Sequence, residues 1–473
     1  MYVPAILVPP VLSFLILVVF SRLLSTEEYG RYMLTVATVE LLRGGTTGWL
    51  TVSYFRFYAG AEQDGTLPML RSTVTMLFLG LTAVVAVGYA LIVHSLPLEP
   101  TLRDMLLLGL VLLLSQSAAL LVLSDRRAAG SDLQYSVLTA ICAGSGFVAA
   151  IAIFMLLLPT EAALILGAAA GYALGLTSLT LSLRKIDLLG IDWGLARQLA
   201  GYGVPVAAAL LLGFVVDWSD RYIIALLLGN GPAGEYAVGY ALAARLITPL
   251  FVLVSMAGLS TAIKSLEQGG SAAAEPALKE GYELVLAVAL PATLGLMLLA
   301  EPIVELVVGP AFRQTAIMIV PWIAVVGFLR GFKLFYLDHA FHLSKRTTLA
   351  LYTVLPAGLL NVLLNLLLVP YFGLMGAVYA TLATFVVAAA ASWHLGRRVY
   401  PLPLPVGSLL RVLLACLPLV LVVVILDPAS RPLPLCGTIL AGAASYALAA
   451  FVLDIAGVRR VLTRRTGWRG MLH

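Results

Sequence analysis

Charge is what this sequence has least of. Only 11% of its 473 residues are Asp, Glu, Lys or Arg, and 61% are hydrophobic, whereas a soluble globular chain carries roughly a quarter charged residues. That shortage excludes a soluble globular protein and leaves a polytopic membrane protein. Cysteine is scarcer still. Cys142, Cys416 and Cys436 stand alone among apolar neighbours without C-x-x-C spacing, which gives no disulfide framework and suits buried packing. No P-loop, H-E-x-x-H or G-x-S-x-G pattern occurs, so neither an ATP-driven pump nor a common hydrolase gains support. Long polar connections are missing too. The longest, Arg184 to Gly201 and Lys264 to Gly281, are far below domain size, so any chemistry must take place within or at the membrane. The net charge of +5 forms no basic face with interleaved aromatics, which excludes nucleic acid as a partner. The N-terminus lacks a basic n-region and a small-residue cleavage site, so its first apolar stretch is read as retained.

What the chain does have is apolar runs. A helix crosses the hydrocarbon core with about 20 mostly apolar residues. Fourteen such stretches lie near 4–21, 32–54, 70–93, 104–124, 135–158, 161–183, 201–228, 235–262, 282–305, 315–337, 348–369, 372–395, 406–426 and 434–454. Basic residues mark the cytoplasmic side of short loops. With the N-terminus inside, the inner loops and tail hold most of them, including Arg126, Arg127, Arg184, Lys185, Arg397 and Arg398. The outer loops hold only Arg22, Arg31, Arg103, Arg313 and Arg431. Both termini are therefore expected in the cytoplasm. The segment "RKIDLLGIDWGLARQLAGYG" at mid-chain reads as an amphipathic helix in the headgroup region. On either side of it the turns "LLSTEEYGRYML" and "LLLGNGPAGEYAVGYAL" look alike. That likeness predicts an internal repeat: a lobe of six spans over 1–198, a second over 199–400, and two further spans with a basic tail over 401–473. Transporters built on such repeats hold their substrate between the halves near the midplane. Pro9, Pro10, Pro205, Pro249, Pro291, Pro321 and Pro356 fall in or near spans, where each invites a kink.

Ionisable groups inside hydrocarbon are expensive and persist where they meet a partner or a wet cavity. Here they are Glu40, Arg43, Asp217, Asp220, Arg221, Arg245, Arg330 and Lys333. Spacings of three or four put Glu40 with Arg43, Asp217 with Arg221, and Arg330 with Lys333 on shared helix faces. Two readings stand. Either Glu40–Arg43 and Asp217–Arg221 are self-neutralising pairs that hold helices in register, or a net cationic lining holds a dehydrated anion, for which guanidinium forks suit phosphate oxygens. On the second reading Arg245 and Arg330 lead, because neither has an acid one turn away, and Asp220 is left to meet Arg245 or a cation. Lys333 and Arg411 are near enough to an interface to snorkel. Arg56 guards the inner mouth or serves topology alone. Asp338, His339 and His342 are spaced too loosely to predict a metal site.

Several stretches resemble one family in their order along the chain: "SRLLSTEEYGRYML", "GWLTVSYFRFYAG", "DWSDRYIIALLLGNGPAGEYAVGYALAARL", "VVGPAFRQTA" and "NVLLNLLLVPYFGLMGAVYATLAT". The last is the most specific, with Asn361, Asn365, Pro370, Gly373, Gly376, Ala377 and Thr381 at family-like spacing. Together they resemble the polysaccharide-exporting branch of the MOP (multidrug, oligosaccharidyl-lipid, polysaccharide) superfamily, the Wzx-type lipid-linked oligosaccharide flippases. The resemblance implies an all-α polytopic membrane protein of about 14 transmembrane helices, two six-helix lobes plus two C-terminal helices. It implies a non-enzymatic carrier, multi-pass in a bacterial plasma membrane, that moves an undecaprenyl-pyrophosphate-linked oligosaccharide outward by alternating access. Arg43, Arg56, Arg221, Arg245, Arg330 and Lys333 would line the route. Glu40, Asp217 or Asp220 would couple it to a proton or sodium ion, with no other cofactor. Membrane lipids, glycosyltransferases and a polymerase are the implied partners. The rival readings are a MATE-like multidrug/cation antiporter, a peptidoglycan-precursor flippase, and a membrane glycan polymerase or ligase, the last disfavoured by the lack of a large outer loop.

Overall fold

The first polar turn sets the style of the whole chain. In "LLSTEEYGRY", Ser25 accepts from the Glu28 main-chain N–H at 3.3 Å, and the Glu28 carboxylate accepts from the Ser25 N–H at 2.8 Å. This reciprocal capping box stops one helix and starts the next within three residues. Ser25→Ala is expected to cost about 1 kcal/mol, read as a lowered unfolding midpoint in detergent with no change in yield.

A computed structural model describes residues 3–177 and 190–459, and all regular structure among them is helical. In chain order the helices are α1 Val3–Leu23, α2 Thr26–Thr46, α3 Gly48–Gln63, α4 Leu67–Ser95, α5 Pro100–Ala128, α6 Asp132–Leu156, α7 Ala162–Leu176 and α8 Trp193–Leu228. There follow α9 Asn230–Leu298, α10 Ala300–Val307, α11 Pro310–Phe332, α12 His339–Leu343, α13 Leu351–Phe372, α14 Leu374–Val399, α15 Val406–Leu426 and α16 Pro432–Val452. By contacts the chain falls into two compact units, Met1–Gly234 and Glu235–His473. The seventh span, α8, packs with α2, α3 and α4 in the first unit.

Every apolar stretch marked in the sequence holds a helix, yet among the described residues only eleven helical stretches are long and apolar enough to cross a membrane. Within the described residues the apolar parts of α1 and α7 are Val8–Leu23 and Ala162–Leu176. The second stretch is divided between α2 and α3 at Thr47, whose N–H still reaches Arg43 O at 3.1 Å. Thr46 and Thr47 both turn their hydroxyls back on carbonyls one turn earlier. Beside Gly44, Gly45 and Gly48 this competition loosens the main-chain ladder.

Two connections continue their neighbouring spans as helix. From Trp193 onward the mid-chain segment runs unbroken into α8, its start capped by Asp192, which accepts from Gly194 N–H and Leu195 N–H at 2.8 and 3.0 Å. It is the first turns of the seventh span rather than a separate interfacial helix, and 184–189 lies outside the described residues. The second, Lys264 to Gly281, continues α9 with one break at Gly270, where φ is +75°. A run of Ala, Glu and Lys favours helix, and glycine alone accommodates that φ without strain.

Packing inside the first unit relies on small residues. The helices α6 and α7 cross where Gly146 and Ala150 face Gly167 and Gly171, so closely that a Cβ on Gly171 would lie 2.3 Å from the Cys142 carbonyl oxygen. Such stripes let membrane helices approach when water supplies no driving force. The two look-alike turns meet in the same way: a Cβ on Gly30 would lie 2.0 Å from the Asn230 carbonyl oxygen. Aromatic and aliphatic residues fill the wider gaps. Trp49, Leu50, Tyr54, Leu70 and Leu199 join α3, α4 and α8; Val39, Leu112, Leu113 and Ile165 join α2, α5 and α7. In the second unit Tyr282, Tyr336, Val412 and Cys416 form a core between α9, α15 and the turn after α11.

Candidate functional site

Glu40 and Arg43 of α2 form the pair that their spacing implies, with Arg43 Nη2 2.6 Å from Glu40 Oε2. Glu40 does more than neutralise its neighbour. Its other oxygen accepts from Gln116 Nε2 of α5 at 2.7 Å, and Gln116 also reaches the Tyr172 hydroxyl of α7 at 3.5 Å. The carboxylate thus ties three helices, while about a quarter of each charged side chain stays exposed and open to exchange. Gln116 and Tyr172 carry no charge, and nothing in the linear pattern sets them apart from core.

In α8 the pairing differs from the helical-spacing expectation. Arg221 Nη1 lies 3.0 Å from Asp220 Oδ1, and it reaches Asp217 through the main-chain carbonyl, donating at 2.7 Å. Asp220 also accepts the Arg221 N–H at 2.8 Å, and the guanidinium lies over the Trp218 ring at 4.7 Å. Adjacent residues normally diverge by about a quarter turn. Here a long guanidinium folds back along the helix, and the aromatic face and the carbonyl hold it there. Asp220 and Arg221 are buried together, so Asp220 has a cation partner within α8, whereas Asp217 is half-buried.

Arg56 of α3 lines a cavity of 580 Å³ in the first unit, together with Thr51, Val52, Phe55, Ser124, Arg127 and Tyr202. Arg127 at the end of α5 lies over the rings of Phe55 at 5.4 Å and Tyr135 at 6.0 Å. The sequence counts Arg127 only as a topology charge, because α5 and α3 converge in space and not along the chain. The acid nearest in sequence, Asp125, is engaged by Arg71 at 2.9 Å and by the Tyr54 hydroxyl.

Within the second unit Arg245 on α9 and Arg330 on α11 are both half-buried. Lys333 departs from the snorkelling expectation. It is buried, its Nζ 2.8 Å from Asp338 Oδ2, and Ser392 of α14 donates to the other Asp338 oxygen at 2.8 Å. The intervening Lys333–Leu337 is a π-helical turn, a widening that brings residues five apart together. Asp338 is therefore held by a lysine and a hydroxyl, and no group of three metal-type ligands occurs among the described residues. Arg411 pairs with Glu283 at 3.0 Å. This unit also holds an apolar cavity of 420 Å³ among α9, α10, α15 and α16, lined by residues such as Ala292, Gly295, Leu299, Leu419, Ile439 and Tyr446.

Helices of spanning length, small-residue crossings and charges held by partners or rings define a multi-pass, all-α membrane protein. The chain belongs to the polysaccharide biosynthesis protein family, whose model matches residues 59–317. It is similar to a probable low-salt glycan biosynthesis flippase of Haloferax volcanii, 23% identical over 240 residues. That match covers 49% of this chain and 47% of the relative, so the chain spans about half the length of the curated relative it matches. Among solved structures, a lipid II flippase MurJ in an inward closed conformation superposes with a TM-score of 0.76, at 13% identity, over 96% of this chain and 98% of that one. An inward-facing multidrug resistance MATE family transporter of the MOP superfamily gives 0.67 at 16% identity, over 84% and 94%. The family and the fold are those that the motifs resemble.

Proposed function

We propose that this protein moves a lipid-linked oligosaccharide across a plasma membrane by alternating access, as a carrier and not an enzyme, in polysaccharide biosynthesis. The observation that carries the reading is the 420 Å³ apolar cavity among α9, α10, α15 and α16. A carrier of free polar sugars or small cations has no use for an apolar recess of that size, whereas a prenyl chain that accompanies its glycan does. Family membership agrees. A cationic drug is the poorer substrate, since the Arg56–Arg127 cavity carries two guanidiniums and no carboxylate.

On this reading the substrate is an undecaprenyl-pyrophosphate-linked glycan. Arg43, Arg56, Arg221, Arg245, Arg330 and Lys333 are the candidate cations for its phosphates, and Glu40, Asp217 and Asp220 the candidates for coupling to a proton or sodium gradient. Cytoplasmic termini agree with the basic loops. Glycosyltransferases and a polymerase would supply and consume the glycan.

Reconstitution into liposomes tests this. A lipid-linked oligosaccharide placed in one leaflet is expected to become accessible to a glycosidase on the other side only when the protein is present. Gly295→Phe puts a ring into the apolar cavity at a position where an added Cβ meets nothing within 4 Å, and is expected to slow that movement about tenfold. Protein-dependent uptake of a cationic dye with no movement of the glycolipid would overturn the reading.

A further inference from the structure

We infer that the Arg56–Arg127 cavity of the first unit is a glycosyl-phosphate subsite, one that takes a phosphate together with the sugar it carries. This rests on the lipid-linked glycan reading above and adds to it which part of the substrate the first unit grips.

The charge comes first. The lining has two guanidiniums and no carboxylate, and Asp125, next to Ser124, is engaged by Arg71. Arg56 makes no hydrogen bond or ion pair among the described residues. Arg127 lies over the Phe55 and Tyr135 rings at 5.4 and 6.0 Å, contacts that leave its charge uncompensated, and a guanidinium fork suits the oxygens of a phosphate.

The hydroxyls point to the sugar. Thr51 Oγ1 donates to the Gly48 carbonyl at 2.8 Å, and Ser124 Oγ donates to the Leu120 carbonyl at 2.8 Å. With their hydrogens engaged, both oxygens can only accept. A phosphate oxygen gains nothing from an acceptor, but a sugar hydroxyl does. Phe55 and Tyr202 are 50% and 41% exposed, and exposed aromatic rings beside polar groups suit the C–H face of a pyranose. A volume of 580 Å³ is in the range of about 300–1,000 Å³ that holds whole small ligands, and is far more than an inorganic anion needs.

The same cationic chemistry would attract an anionic phospholipid headgroup, so the test separates the two sources. Purified full-length protein is titrated calorimetrically with three probes: a short-chain prenyl pyrophosphoryl-N-acetylglucosamine, inorganic pyrophosphate, and phosphatidylglycerol supplied in nanodiscs. The glycosyl probe is expected to bind at least about tenfold more tightly than pyrophosphate and to resist displacement by phosphatidylglycerol. Arg56→Gln and Arg127→Gln are each expected to weaken it about tenfold or more. Arg127→Lys, which keeps the charge and loses the fork, is expected to fall between them and wild type. Thr51→Ala is expected to weaken the glycosyl probe and leave pyrophosphate unchanged. Equal affinity for pyrophosphate, displacement by phosphatidylglycerol, or wild-type affinity in both Gln variants would overturn the subsite. Absence of glycosyl-probe binding to wild type would instead overturn the lipid-linked glycan reading beneath it.

Discussion

Gly171→Leu is expected to abolish recovery of monodisperse protein, whereas Gly144→Leu on the partner helix is expected to be recovered as wild type. The contrast comes from what each new side chain meets. At Gly171 an added Cβ would lie 2.3 Å from the Cys142 carbonyl oxygen, 2.6 Å from Gly146 Cα and 2.7 Å from Gly146 N. All three are backbone atoms of α6, so no rotamer change relieves the clash and the helices must separate. At Gly144 an added Cβ meets nothing within 4 Å. Overpacking a good core costs roughly 1–3 kcal/mol when side chains can shift. Here the crossing also sets Gly167 against Ala150, so separating the helices at one point opens the whole seam. Size-exclusion profiles of detergent extracts measure the difference. Recovery of both variants in equal yield would mean that α6 and α7 are not packed through these glycines.

The sequence declares this fold mainly through its absences. With so few charges, each apolar run can be read directly, and every run marked there holds a helix. The turns at Ser25 and Gly229 are legible because capping and glycine chemistry are local. Legibility fails where a polar group sits inside an apolar run or an apolar pattern crosses a supposed loop. Thr46 and Thr47 divide the second span through hydroxyls that no hydropathy window weighs. The helix through Lys264 to Gly281 looks like a connection in the sequence because it is polar, although its composition favours helix.

The site was half legible for the same reason. Helical spacing finds Glu40 with Arg43, since both obey the i, i+3 rule on an undistorted helix. It does not announce the contact of Arg221 with Asp220, because a long side chain held over Trp218 can turn back to its neighbour. It misses Lys333 with Asp338 because five residues close a π turn and not an α turn. Residues from different helices, such as Gln116 beside Glu40 and Arg127 beside Phe55, are brought together by packing alone. No spacing within one segment could have announced them.

The second large effect is expected at the buried pair in α8. Asp220→Asn keeps an oxygen in place to accept the Arg221 N–H, a bond of 2.8 Å in the native protein, and removes the charge that faces the guanidinium at 3.0 Å. Arg221, 4% exposed, would then be a buried cation that keeps the Asp217 carbonyl and the Trp218 ring but has lost the charge of Asp220. Breaking such a pair from one side costs about 3–5 kcal/mol, whereas replacing both members with neutral groups of similar size is often neutral. Asp220→Asn combined with Arg221→Met is therefore expected to unfold at a higher temperature than either single variant, close to wild type, in a double-mutant cycle measured in detergent. A pair that only holds helices in register would regain transport together with stability. A pair that meets substrate or coupling ion would regain stability alone. Restored folding with glycolipid movement still lost in liposomes is the outcome expected here, because an ion pair sheltered from water over an aromatic face costs desolvation that an apolar pair would avoid. Full recovery of movement by the double variant would reduce Asp220 and Arg221 to a structural clasp and shift the search for the coupling group to Glu40 and Asp217.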